Sequence, residues 1–356
     1  MLGMMKVLGI ESSCDETAAS VVEDGYRLLS NVVASSMEQH IKYGGVVPEI
    51  AARSHIEVIL PVIEEALSVA GCSWQDIDAI AVTYGAGLGG SLLIGVLTAR
   101  TLAYVHKKPL YAINHVMGHV YANFLTDSEL SGYQMRRAQP SFPMLAIIVS
   151  GGHSQLALFQ NHFDYVLLGQ TQDDAIGEAF DKVAKMLGLP YPGGPSISKA
   201  ALEGDPYAYS LPKARMTGYD FSFSGLKTAV LRLAQAEIGE SYDFPSTKLP
   251  ERLSEAQKND IAASFQRIAI ETIVDKAKTA FDSFSPKSVV IAGGVAANQE
   301  LRSQLQAALP LPVEYPDIKL CTDNGAMIAT LGCFARISGQ PEADPMTLTI
   351  APNLSM

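Results

Sequence analysis

Lys6-Val7-Leu8-Gly9-Ile10-Glu11-Ser12-Ser13-Cys14-Asp15-Glu16 is the stretch whose reading decides the fold. A short apolar run meets a polar turn at Glu11, and a second run, Thr17 to Val22, closes at Asp24-Gly25. That order predicts strand, turn, strand. The same order returns where Met144 to Val149 leads into Ser150-Gly151-Gly152-His153-Ser154 and then Gln155 to Phe159. A chain that writes one hairpin twice is read as a duplication.

A second matched pair supports that reading. Ala79 to Thr83 runs into Gly85-Ala86-Gly87-Leu88-Gly89-Gly90 and a helix, and Ser288 to Ala292 runs into Gly293-Gly294-Val295-Ala296-Ala297-Asn298 and a helix. Two α/β copies, each opening on a hairpin and closing on a glycine-turn unit, outline the duplicated actin, hexokinase and Hsp70 (ASKHA) architecture, in which a nucleotide cleft lies between the two domains. The expected domains are 1–125 and 142–356, joined by a polar stretch from Thr126 to Phe142 that carries Arg136 and Arg137. The excess of the second copy, about 170–285, reads as a helical insertion. Helices are predicted from Pro48 to Ala70, with Ile50, Ile56, Ile59, Val62, Ile63 and Leu67 near one stripe, and from Asp174 to Leu187, stopped by Gly188.

Composition narrows the class. Twenty-six Lys and Arg against 37 Asp and Glu leave a net charge of −11 over 356 residues, with 48% hydrophobic and 18% charged. This is a well-packed chain rather than a disordered one, and its bulk charge disfavours a polybasic nucleic-acid binder. Cys14, Cys72, Cys321 and Cys333 form no C-x-x-C pair, so neither a disulfide framework nor a thiolate zinc site is expected. Lys6 and Glu11 interrupt the N-terminal apolar residues, and no stretch approaches a membrane span. The expectation is a cytoplasmic protein with no membrane association.

Asn114-His115-Val116-Met117-Gly118-His119 puts two imidazoles four apart, which on a helix places both on one face at metal-binding distance. Two helix-cap or surface histidines are the ordinary alternative. A zinc-protease signature needs a Glu directly after the first His, and Val116 stands there. The offset of 208 that carries Gly85 onto Gly293 carries His115 onto Asp323, so the repeat offers a carboxylate, whose ordinary alternative is an N-cap on the helix from Asn324 to Phe334. Two histidines and one carboxylate with open positions suit iron or zinc. Ser150-Gly151-Gly152 and Gly293-Gly294 are backbones that a phosphate can approach, although glycine turns are more often structural. Gly85 to Gly90 lacks the Lys-Ser/Thr of a P-loop. Glu178 and Asp181 lie off the apolar stripe of their helix beside Lys182 and Lys185, either as a solvated face or with Asp181 accepting from a ribose hydroxyl while Tyr191-Pro192-Gly193-Gly194-Pro195 walls the sugar.

Together these motifs resemble one family: the universal tRNA N6-threonylcarbamoyladenosine transferases, formerly described as O-sialoglycoprotein endopeptidases. The resemblance covers nearly the whole chain and rests on Gly9 to Thr17, Gly44 to Glu49, Val149 to His153, Gly177 to Lys182, Tyr191 to Pro195, Phe221 to Lys227 and Gly293 to Asn298, in family order. Leu320 to Gly325 is closest to the bacterial form. The resemblance implies that His115, His119 and Asp323 hold one divalent metal, iron(II) ahead of zinc. It implies that Ile148, Val149, Ser150, Gly151, Gly152, Asp181, Gly194 and Asn298 bind threonylcarbamoyl-AMP. The implied activity moves the threonylcarbamoyl group to N6 of adenosine 37 in tRNAs reading ANN codons, with no catalytic residue beyond the metal set. Implied partners are tRNA, a smaller paralogous actin-like subunit and an ATPase. Two departures stand out: the family writes H-M-E-G-H where this chain has Met117 in the acid's place, and Ser154 replaces a Thr. The alternatives from other classes are a metalloprotease and a nucleotide-regulated, non-catalytic interaction module.

Overall fold

The opening run forms β1 (Lys6–Glu11), and the chain turns back as β2 (Glu16–Glu23). They pair antiparallel from Lys6 opposite Glu23 to Glu11 opposite Ala18. The computed structural model describes residues 4–356. Those residues gather into two units: the chain up to Pro140 with Tyr315–Met356, and Ser141–Glu314.

In the first unit the hairpin is followed by β3 (Arg27–Leu28), β4 (Val32–Ser35), α1 (Met37–Ile41) and α2 (Pro48–Val69). Then come β5 (Ala79–Gly85), α3 (Gly89–His106), β6 (Leu110–Asn114), α4 (His115–Tyr121) and the short β7 (Asp127–Ser128). The sheet runs β6-β5-β1-β2-β3-β7, with β4 also on β2 and β5 parallel to β1. β1 and β5 are nearly continuous in apolar residues because both of their faces are covered. Pro48 opens α2, where its missing N–H is one that no helix start satisfies. Of the predicted stripe Ile59, Val62, Ile63 and Leu67 are buried, but Ile56 is 62% exposed. Ala51, His55 and Ala66 complete the inner face. A histidine holds a core position there because its ring nitrogens are hydrogen-bonded.

The second unit repeats the pattern. β8 (Met144–Val149) and β9 (Ser154–Asn161) form the hairpin, extended by β10 (Asp164–Gln170). Next come α5 (Ile176–Leu187), α6 (Gly193–Ala201), α7 (Ser224–Glu237) and α8 (Glu255–Phe284). The helical character expected between 170 and 285 is present, and α8 starts on a capping box between Ser254 and Gln257. β11 (Ser288–Ala292), α9 (Gln299–Ala308) and β12 (Val313–Glu314) complete a sheet ordered β10-β9-β8-β11-β12. In both units a parallel strand flanks the hairpin's first strand, which is the duplicated ASKHA arrangement.

The last helix, α10 (Gly325–Ile337), departs from the expected division at 125 and 142. It belongs with the first unit, not with residues 142–356. The reason is steric. A Cβ on Gly9 of β1 would lie 2.3 Å from Ala329 N and Gly325 O, one on Gly325 2.6 Å from Ser20 N, and one on Gly332 2.5 Å from Ala81 Cβ. α10 therefore lies directly on the first sheet along a ridge without side chains, at a distance that larger residues would forbid. Among the described residues no helix is long and apolar enough to cross a membrane, and all four cysteines are free.

Candidate functional site

α10 does more than cover the sheet. A Cβ on Gly118 of α4 would come within 2.9 Å of Ile328 Cδ1, so α4 and α10 pack closely and their starts are held together. His115 and His119, four apart on α4, then meet Asp323, which lies just ahead of α10. His119 Nε2 is 3.2 Å and His115 Nε2 3.6 Å from Asp323 Oδ1, and all three ligand atoms lie within 4.8 Å of one another. Bonds of about 2.1 Å to a common ion separate its ligands by roughly 3 to 3.4 Å, so the three atoms fit one divalent metal with positions to spare.

The caps free these groups. Asn114 accepts from Met117 N and caps α4, so the histidines need not. Asn324, not Asp323, caps α10 by accepting from Met327 N, which removes the N-cap alternative for Asp323.

Glu11, fully buried at the end of β1, is the supporting residue the sequence reading missed. One oxygen accepts from Ser13 N at 2.6 Å; the other accepts from Thr83 Oγ1 at 2.5 Å and lies 3.2 Å from His115 Nδ1. A carboxylate behind a ligating imidazole fixes its tautomer and turns the far nitrogen to the metal. Burial would raise the Glu11 carboxyl, but His115 and its hydrogen bonds hold it below the usual range. Burial likewise draws His115 down, and Asp323 and Glu11 outweigh it, lifting the imidazole to about 9. The surroundings thus favour a positive charge at this point, supplied by a proton or by a cation. His119 Nδ1 is buried and has no hydrogen-bond partner among the described residues. The acid missing at Met117 is therefore not the one that supports His115, and Met117 is itself buried. The signal that could have found Glu11 is a lone charge ending an apolar strand.

The candidate nucleotide residues all lie in the second unit. Ile148 and Val149 are buried residues of β8, where Ile148 stands in register with both β9 and β11 and Val149 with β9. Gly151 and Gly152 are exposed, and a Cβ at either would meet nothing within 4 Å. The turn is closed by its own bonds, Ser150 N to His153 O and His153 N to Ser150 Oγ. Gly293, at φ +91°, passes so near that its Cβ would lie 2.5 Å from Val149 O. Gly194 is half-buried in open space.

Asp181 is not on a solvated face. It is half-buried, and its Oδ1 accepts from Gly193 N at 2.6 Å, tying α5 to the start of α6, where Gly194 follows. Asn298 caps α9 through Leu301 N and donates both amide hydrogens, to Ser198 Oγ and Gln266 Oε1.

Asp173 and Asp174 were also missed. Asp174 holds Lys182 and Lys227, each at 2.7 Å, and Asp173 accepts from Ser222 Oγ and the N–H groups of Phe223 and Ser224. Two of the quoted motifs are thus joined by an acidic pair that neither contains.

In the glycine-rich turn from Gly85 to Gly90, Gly87 N donates to Pro352 O and Leu88 N to Ser13 O, so these two central donors are occupied by the chain itself.

Comparison with known proteins agrees in one direction. Residues 27–330 match the family described as TsaD, tRNA N6-adenosine threonylcarbamoyltransferase. The chain is 51% identical over 333 residues to the tRNA N6-adenosine threonylcarbamoyltransferase of Thermomicrobium roseum, covering 91% of this chain and 90% of that one. It is 48% identical over 353 residues to the protein of the same name from Dehalococcoides mccartyi, covering 99% of each. In fold it resembles the crystal structure of T. kodakarensis HypF, at TM-score 0.60 and 14% identity over 94% of this chain and 48% of that one.

Proposed function

The chain belongs to the tRNA N6-adenosine threonylcarbamoyltransferase family and is a tRNA-modifying enzyme, and on that premise we propose that it uses threonylcarbamoyl-AMP as donor, adenosine 37 of ANN-decoding tRNAs as acceptor, and one divalent metal. The observation that carries the metal is the convergence of His115, His119 and Asp323. Two imidazole nitrogens and one carboxylate oxygen, with Glu11 behind His115, suit iron(II) ahead of zinc. Such an ion, when bound, supplies Lewis-acid polarisation of an oxygen on the transferring group.

The chemistry asks little else of side chains. The N6 amine adds to the carbamoyl carbon, the bond from that carbon to the phosphate oxygen breaks, AMP departs, and N6 loses a proton. The donor is already activated, so orientation and charge stabilisation suffice. His115 and His119 hold their Nε2 atoms toward Asp323, and Glu11 keeps His115 in that orientation. In the second unit the exposed backbone of Gly151 and Gly152, and the loop that Asp181 ties at Gly193, would receive the adenylate. Proteolysis is disfavoured because both oxygens of Glu11, the acid beside His115, are engaged and leave it no free edge to act as a general base.

The paralogous subunit would cover α2 and α3, where Ile56, Leu60, Leu93, Leu97 and Tyr104 are exposed. The ATPase would join that assembly, and the reaction would run in the cytoplasm with the other steps of tRNA maturation. The test is reconstitution: chain, paralogous subunit, ATPase, donor and tRNA, with mass spectrometry of the tRNA nucleosides. Threonylcarbamoyladenosine at position 37, lost on chelation and restored by iron(II), is expected. Full product from chelated protein would refute the metal's part.

A further inference from the structure

Two fully buried histidines of the first unit take no part in the metal set: His40 in α1 and His55 in α2. Each uses both ring nitrogens. His55 Nε2 lies 3.0 Å from the Cys14 carbonyl oxygen and Nδ1 lies 2.7 Å from Thr17 Oγ1. A carbonyl only accepts, so the ring proton is on Nε2 and Nδ1 accepts from the Thr17 hydroxyl. Burial pushes this imidazole below its ordinary range, which keeps it neutral. In His40, Nδ1 accepts the Val47 N–H at 3.2 Å, so Nε2 carries the proton, 3.1 Å from Ser36 Oγ. Ser36 Oγ donates in turn to the Asp15 carbonyl at 2.9 Å.

The two paths end on consecutive carbonyls of the turn between β1 and β2, where each joins a second donor: Ser91 Oγ reaches the Cys14 carbonyl at 3.1 Å and Ser36 N the Asp15 carbonyl at 3.0 Å. That turn sets Ser13 Oγ 3.1 Å from His115 Nδ1. An apolar side chain of equal size would fill either histidine position but leave the Cys14 carbonyl to Ser91 and the Asp15 carbonyl to Ser36 alone. We infer that His40 and His55 are positioning residues of the transferase, neutral imidazole struts that hold the Cys14 and Asp15 carbonyls and so fix the turn supporting His115. The inference rests on the reading of this site as part of the transferase.

The test exploits Thr17, which is buried and whose hydroxyl completes the His55 path. Thr17→Val keeps shape and loses the proton; Thr17→Ser keeps the proton and loses a methyl. In the reconstituted assembly, Thr17→Val is expected to lower kcat between about tenfold and a hundredfold, the scale of a small misplacement at a reacting centre. The KM for the donor and the metal content should not change, and Thr17→Ser should keep the wild-type rate. The reverse order, Val active and Ser impaired, is what a packing role gives and overturns the inference. Ring ¹⁵N NMR of histidine-labelled protein reads the struts without any activity. Two neutral Nε2–H rings are expected for His40 and His55, and a doubly protonated or Nδ1–H ring at either overturns the inference even if the wild type transfers nothing.

Discussion

The turns of the two hairpins stand at the same place in a repeated unit and have opposite surroundings. In the first, Glu11, Ser12, Ser13 and Asp15 are buried, Glu11 is bonded on both oxygens, and the carbonyls of Cys14 and Asp15 are held by side chains. In the second, Gly151 and Gly152 are exposed and have open space where side chains would stand. One copy has become the rigid support of a histidine, the other a bare length of backbone. Duplication supplied the same strand-turn-strand frame twice, and the two turn sequences decide what each frame can hold.

If the first turn is a metal support, its ligands should matter most. Asp323→Ala or His119→Ala is expected to remove bound metal and to lower transfer by more than the ~10–100-fold that a supporting residue commands, with circular dichroism showing a folded chain. Wild-type metal content in either variant would break the contrast between the turns. Next in size is Glu11→Gln, which keeps the shape and removes the charge behind His115. Metal affinity by competition with a chelator should fall about 10–100-fold, while nucleotide binding by calorimetry stays unchanged. An equal fall in both would mean that Glu11 supports the fold at large.

Glycines sharpen the comparison from the other side. Gly293→Ala places a Cβ 2.5 Å from Val149 O at a positive φ and should cost roughly 1–3 kcal/mol in denaturant unfolding. Gly151→Ala meets nothing and should change stability by less than ~0.5 kcal/mol. Its expected effect is on binding: about a tenfold loss of adenylate affinity, or ~1.4 kcal/mol. Unchanged affinity would return the open turn to an ordinary hairpin loop.

These elements differ in how legible they are in the sequence. The hairpins, the glycine turns, α5 and the histidine pair are written locally, in apolar runs and three- or four-residue spacings. Asp323 was found through the repeat offset, although the segment between β12 and α10 is longer than the junction of β6 and α4. Glu11 is bonded to a histidine 104 residues away, and no local pattern announces that pairing. The return of α10 to the first sheet is hidden for a similar reason. Gly9, Gly325 and Gly332 look like isolated small residues until the surfaces that need them are brought together. At α2 the periodicity favoured Ile56, and the core took His55, because a fully hydrogen-bonded imidazole is tolerated where an unpaired one is not.

Asp181 carries the smallest expected effect and separates two roles. Its carboxyl is raised above the ordinary range, first by burial and then by Glu178, while the Gly193 N–H pulls the other way without prevailing. An acid whose folded value is raised binds more protons folded than unfolded across the interval between the two values. Stability from this group is therefore present at low pH and falls as pH rises through that interval, leaving the ionised carboxylate a cost at neutrality. Asp181→Asn removes the charge and keeps an oxygen for Gly193. The variant should melt no lower than the wild type at pH 7, and its advantage should vanish when both are melted below the unfolded value of the acid. A lower melting temperature at pH 7 would mean that the charge itself holds the Gly193 loop. Adenylate affinity reads the other role: a ribose hydroxyl donating to a carboxylate loses more than one donating to an amide, so weaker binding with unimpaired melting assigns Asp181 to the ligand. Unchanged binding leaves it as the anchor of the loop alone.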